Sequence, residues 1–129
     1  MVPITALYAG LLGLILIALG FQVGAARLRT GVSILHGDDM ELATVIRRHA
    51  NFTENVPFAL VLLGALELNG TGAGLLHGLG LALVICRIAH PFGLRHDDMR
   101  RPLRGIGAGG TTLVIAVASV LLIWGFLAG

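Results

Sequence analysis

Long apolar runs broken by short polar or basic connections set the pattern of this chain. Four such blocks stand out, at residues 3–23, 50–68, 75–94 and 103–127. Each is close to the roughly 20 residues that cross a hydrocarbon core of about 30 Å. The pattern predicts four helices, spanning about 3–26, 41–69, 73–94 and 102–127, in one domain over residues 1–129. The fold class is therefore an all-α integral membrane protein, a bundle of four transmembrane helices.

The second block departs from plain apolarity. Only 12 residues lie between Glu54 and Glu67, too few to span alone, so the span must reach back to Ala50 and hold Asn51, Glu54 and Asn55 just inside one membrane face. The same count along the third block puts Arg87 about 10 Å below the edge at Leu94. Glu54 and Arg87 then lie at similar depth, and a pair between helices two and three is expected, since neither charge is tolerable alone in hydrocarbon. On helix two, Arg47, Asn51 and Glu54 fall within about 60° of one another while His49 points away. A cation, an amide and a carboxylate thus share one face. His90, three residues after Arg87, shares the face of that arginine.

Composition agrees with a membrane as solvent: 56% hydrophobic residues, 12% charged and a mean hydropathy of +0.89, against about 25% charged in soluble domains. All nine cations are arginines. They cluster at 27, 29, 47 and 48 and again at 95, 100, 101 and 104, whereas the connection at 69–74 has none. By the positive-inside rule, connections one and three face the cytoplasm and both termini lie outside. The first apolar run is read as a retained span because it is long and no basic residue precedes it. The use of arginine without lysine points to a GC-rich genome and so to a bacterial inner membrane. The arginines flank spans and are not interleaved with base-stacking aromatics, so the high pI, near 9.5, calls for no nucleic-acid partner.

Smaller features shape the bundle. The turn around Gly70-Thr71-Gly72 is short enough to make helices two and three antiparallel neighbours. Asp38 or Asp39 can cap helix two, and Pro102 suits the first turn of helix four. Gly20 and Gly24, and Gly105 and Gly109, have the four-residue spacing that lets membrane helices approach closely, within the subunit or between subunits. Cys86, the single cysteine, can form no internal disulfide and reads as core packing. None of the five histidines has the spacing of a zinc signature, and no metal site is expected.

Over nearly its whole length the chain resembles the superfamily of membrane-associated proteins in eicosanoid and glutathione metabolism (MAPEG). The helix-two pattern of that family, Arg, Asn four residues on, Glu three beyond and Pro three beyond that, matches Arg47, Asn51, Glu54 and Pro57. Cys86-Arg87-Ile88-Ala89-His90 matches its pattern at the end of helix three. Arg101-Pro102-Leu103-Arg104 matches the basic entry to helix four, where the family places the arginine that faces the glutathione thiol. The resemblance implies a homotrimer that binds glutathione between subunits and takes a lipophilic small molecule from the bilayer. Glutathione is then a co-substrate, held by Arg47, Asn51, Glu54, Arg87 and His90, with Arg104 catalytic. Such a transferase would activate the thiolate for attack on a lipophilic electrophile or peroxide. The chain departs from the eicosanoid-type members where they carry a glutathione-contacting tyrosine late in helix three: the position is Leu94 here, and the only tyrosine is Tyr8. Thr44 and Ala50 stand where some members have basic residues.

The same residues admit other readings. A catalytically silent scaffold or ligand-binding relative would keep the glutathione pattern without turnover. Glu54 and Arg87 would, in a purely structural role, only neutralise each other, while Arg47 and Arg104 anchor helix ends at the headgroups. A small four-helix transporter would use Glu54 as its coupling carboxylate, although such sites usually lie at the midplane.

Overall fold

The computed structural model describes all residues, 1–129, and consists of four helices: α1 (Pro3–Thr30), α2 (Met40–Leu68), α3 (Ala73–Gly93) and α4 (Pro102–Ala128). Three of them, α1, α3 and α4, are long and apolar enough to cross a membrane by length and composition. The exception is α2, whose polar residues interrupt its apolar run. At about 1.5 Å per residue its 29 residues extend roughly 43 Å, so about 13 Å of it exceeds the hydrocarbon core. Counting the core back from Leu68, Glu54 lies about 8 Å inside it. The protein is a membrane-spanning four-helix bundle.

Local sequence explains the helix ends. Pro3 and Pro102 occupy the first turns of α1 and α4, where a missing N–H costs nothing. Asp39 is the residue that caps α2, its Oδ1 accepting from the Leu42 amide at 2.7 Å. Gly31 ends α1 in the left-handed conformation, φ 71°, and its N–H donates to the Arg27 carbonyl, a geometry that a side chain would strain. The start of α1 has a tertiary cap as well. Glu67, near the end of α2, accepts from the Ile4 amide at 2.9 Å and the Thr5 amide at 2.7 Å, placing a carboxylate at the positive end of the α1 dipole.

Buried Leu12 and Leu19 of α1, Phe52, Val56, Ala59 and Leu63 of α2, Leu76 and Leu83 of α3, and Val114 and Ala118 of α4 form one core. Helices α2 and α3 are joined by the short turn, as expected, but the most extensive packing of α3 is against α4. Glycine makes that closeness possible at positions other than those the spacing suggested. A methyl group at Gly20, Gly24, Gly105 or Gly109 would meet nothing, so these glycines bring no helices together within the subunit. Gly107 instead lies against the backbone and Cβ of His90, Gly110 against the Cys86 sulfur, and Gly93 against the backbone at Leu103 and Arg104. The α3–α4 seam is therefore tight along the last turns of α3, which is where Arg87 and His90 are held. The four-residue spacing missed these contacts because it marks a face without saying which neighbour it meets.

Candidate functional site at the arginine-rich end

The helix-two face forms as its spacing predicts, with one change of partner. Arg47 and Glu54, seven residues apart, make a two-pronged ion pair: Nη1 to Oε1 at 2.9 Å and Nη2 to Oε2 at 2.6 Å. Two turns of helix bring such positions onto one face, and the planar guanidinium matches the carboxylate fork. Glu54 does not pair with Arg87. Both side chains of the Arg47–Glu54 pair are about half exposed, at 55% and 51%, so the pair lies on the outside of the subunit while Arg87 is turned inward. Depth alone suggested the cross-helix pair; the rotation of α2 excludes it.

Arg87 is 1% exposed and serves as a buried strut. Its Nη1 donates to Asn51 Oδ1 at 2.9 Å, and its Nη2 donates to the Gly107 carbonyl at 2.6 Å. One side chain thus ties α2, α3 and α4 together. No carboxylate pairs with it, and its Nε has no hydrogen-bond partner. A guanidinium can only donate, so Asn51 must present its oxygen to Arg87 and keep its amide nitrogen for another acceptor. His90, 4% exposed, is packed against Gly107. Arg87 and His90 therefore support the site from behind rather than line its surface.

The surface of the site is a cavity of about 260 Å³ lined by Ala43, Thr44 and Arg47 of α2, Leu94, Arg95 and His96 of the third connection, and Arg104 of α4. Arg104 is half-buried and has no acidic partner. It is placed there because Gly93 lets the end of α3 lie against the first turn of α4. Arg95 is paired with Asp97, whose carboxyl is held below the usual carboxylate range chiefly by that bond. His96 contacts the Thr44 hydroxyl at 3.4 Å. Leu94 contributes no hydroxyl to this lining.

Arg48, which the sequence reading did not single out, holds the rim. Its Nε and Nη2 both donate to the Leu94 carbonyl, at 3.1 and 2.9 Å, which ties the start of α2 to the end of α3 and satisfies a carbonyl at a helix C-terminus. The available signal was its position beside Arg47, about 100° around the helix and hence toward the bundle.

The MAPEG family model matches residues 5–124. Inner membrane protein YecN of Escherichia coli strain K12 is 33% identical over 118 residues, covering 92% of this chain and 90% of that protein. YecN of E. coli O6:H1 matches to the same extent. No solved structure matches the chain.

Proposed function

The chain belongs to the MAPEG family, and from that premise we propose that it is a bacterial inner-membrane, glutathione-dependent transferase whose site is the arginine-rich cavity. The observation that carries this reading is the unpartnered Arg104 in a cavity shared with Arg47. Glutathione has two carboxylates, an amine and a thiol. Arg47 and Glu54 present both signs on one surface, suited to a carboxylate beside an amine, and Asn51 has a free amide nitrogen next to them. A free thiol with pKa about 8.5 is mostly protonated at neutral pH; a guanidinium near the sulfur favours the thiolate. Thiolate sulfur then attacks an electrophilic carbon of a lipophilic acceptor, the C–S bond forms, the leaving group departs with its electron pair, and the thiol proton passes to solvent. Arg87 and His90 act as positioning residues behind Asn51 and Gly107.

Exposure of the Arg47–Glu54 pair on a membrane-spanning helix favours an assembly. An ion pair half open to hydrocarbon is expensive, and a neighbouring copy that roofs the cleft would spare that cost. Open grooves such as the one along Ile17, Gly20, Phe21, Gly24 and Leu28 can receive the packing helix of the neighbour. A trimer with glutathione between subunits and the arginine-rich end toward the cytoplasm fits these features. Commitment of Glu54 to Arg47 speaks against a freely titrating coupling carboxylate of a transporter.

Calorimetric titration of the detergent-purified protein with glutathione, paired with conjugation of an aromatic halide, tests the reading. Binding and turnover are expected. Binding without turnover would favour the silent relative, for which the apolar Leu94 is the supporting observation, and no binding at all would overturn the glutathione site.

A further inference from the structure

A second cavity, of about 410 Å³, lies between α1 and α3 at the same end of the bundle. Its charged lining is four arginines, Arg48, Arg87, Arg95 and Arg101, with no carboxylate among the lining residues. Two of these cations have nearby acids: Arg95 bonds to Asp97, and Arg101 pairs with Asp98. Arg48 and Arg87 make no ion pair, although Glu41 lies near enough to Arg48 to act on its charge. Arg87 is almost wholly buried and its Nε lacks any acceptor. A buried guanidinium without a counter-ion, close to the hydrocarbon region, is a costly arrangement that an anion would relieve. The remaining wall is mainly apolar, with Ile15 and Leu19 from α1 and Ile88 and Phe92 from α3, and Gln22 of α1 is its one uncharged polar side chain. Ile88 and Phe92 are exposed on the surface of a membrane-spanning helix, so the groove opens sideways to where lipid chains lie.

We propose that this α1–α3 groove binds one anionic phospholipid from the adjoining leaflet, with its phosphate among Arg48, Arg95 and Arg101 over the buried Arg87, and one acyl chain along Leu19, Ile88 and Phe92. A small water-soluble anion would satisfy the arginines and leave the apolar wall uncovered. A zwitterionic lipid would cover the wall and leave the excess positive charge. An anionic lipid meets both, and guanidinium forks suit phosphate oxygens. The site is separate from the Arg47–Arg104 cavity, with which it shares only Arg95 as a lining residue. The bound lipid would brace the end of α3 that supports the first cavity.

Native mass spectrometry of the detergent-purified protein, with phosphatidylglycerol and phosphatidylcholine of matched chains, tests this. Phosphatidylglycerol is expected to be retained at one per chain and phosphatidylcholine to be lost. Arg48→Gln should weaken retention about tenfold, the scale of one charge-assisted contact. Because Arg48 also holds the Leu94 carbonyl, Ile88→Trp provides an independent arm: it fills the groove from its lipid side and should lower retention while leaving glutathione affinity unchanged. Equal retention of both lipids, or phosphatidylglycerol retention indifferent to both substitutions, would overturn the proposal. Displacement of the lipid by inorganic phosphate would assign the arginines to a soluble anion, and displacement by glutathione would merge the groove with the thiol site; either contradicts it. Failure of glutathione to bind at all, with phosphatidylglycerol still retained, would remove the proposed transferase reading and leave the lipid site standing.

Discussion

The two ends of the bundle solve the problem of polar groups in a membrane protein in different ways. At the end holding the α2–α3 turn, several polar groups answer one another, although the buried Thr5 hydroxyl has no partner. Glu67 caps two amides of α1, and the Tyr8 hydroxyl meets both Nδ1 and the carbonyl of His77, at 3.0 and 3.1 Å. At the arginine-rich end, Arg48, Arg87 and Arg104 have no acidic partner, and two cavities open among them. At the first end the Glu67 carboxylate is committed within the fold. At the second end these cations are left without a carboxylate partner, the feature on which both proposed anion sites rest.

The contrast is broken most severely at Arg87, the largest fully buried side chain. Arg87→Ala should cost about 3 kcal/mol or more in detergent unfolding, since it empties a large space and strips Asn51 of its donor. A double-mutant cycle sharpens the point. Asn51→Ala and Arg87→Ala should couple by about 1 to 2 kcal/mol, whereas Glu54→Ala and Arg87→Ala should add within about 0.5 kcal/mol, as the two make no contact. Strong coupling in the second cycle would restore the charge pair that the sequence suggested.

At the closed end, Glu67→Ala should lower stability by about 1 kcal/mol, the usual worth of a helix cap, and leave glutathione affinity unaltered. A large loss of affinity would mean that the two ends are not independent. The smallest effect belongs to Asp39. Its carboxyl is held below the usual carboxylate range chiefly by the Leu42 amide, with Arg29 adding to it. A lowered folded-state pKa means that its stabilising contribution is present above the unfolded pKa of about 3.9 and is lost as pH falls through the lower folded value. Asp39→Asn keeps the cap and should flatten that part of the acid unfolding profile, measured by circular dichroism.

Much of this was legible beforehand. Hydropathy and turn residues were enough for four helices with nearly correct ends, because in hydrocarbon each span must satisfy its own backbone and its length is fixed by the bilayer. The face shared by Arg47 and Glu54 followed from helical periodicity. Side-chain direction between helices did not: equal depth made Glu54 and Arg87 look like partners, yet the rotation of α2 turns one outward and leaves the other to Asn51 and the Gly107 carbonyl. The glycines at the α3–α4 seam were likewise hidden, because close approach depends on which surfaces meet. The tertiary caps by Glu67 and Arg48 join residues far apart in sequence and carry no local signature.

In the proposed site the unpartnered Arg104 makes the cavity beside Arg47 a place where a thiol becomes a thiolate. Thiolate ultraviolet absorbance of bound glutathione, titrated against pH in the parent protein and in Arg104→Ala, measures this directly. The parent should hold the thiol below its free pKa of about 8.5, and Arg104→Ala should raise it toward that value, slowing conjugation at neutral pH with partial recovery at higher pH. Equal thiol pKa values in the two proteins would contradict the claim and leave Arg104 an anchor at the membrane surface.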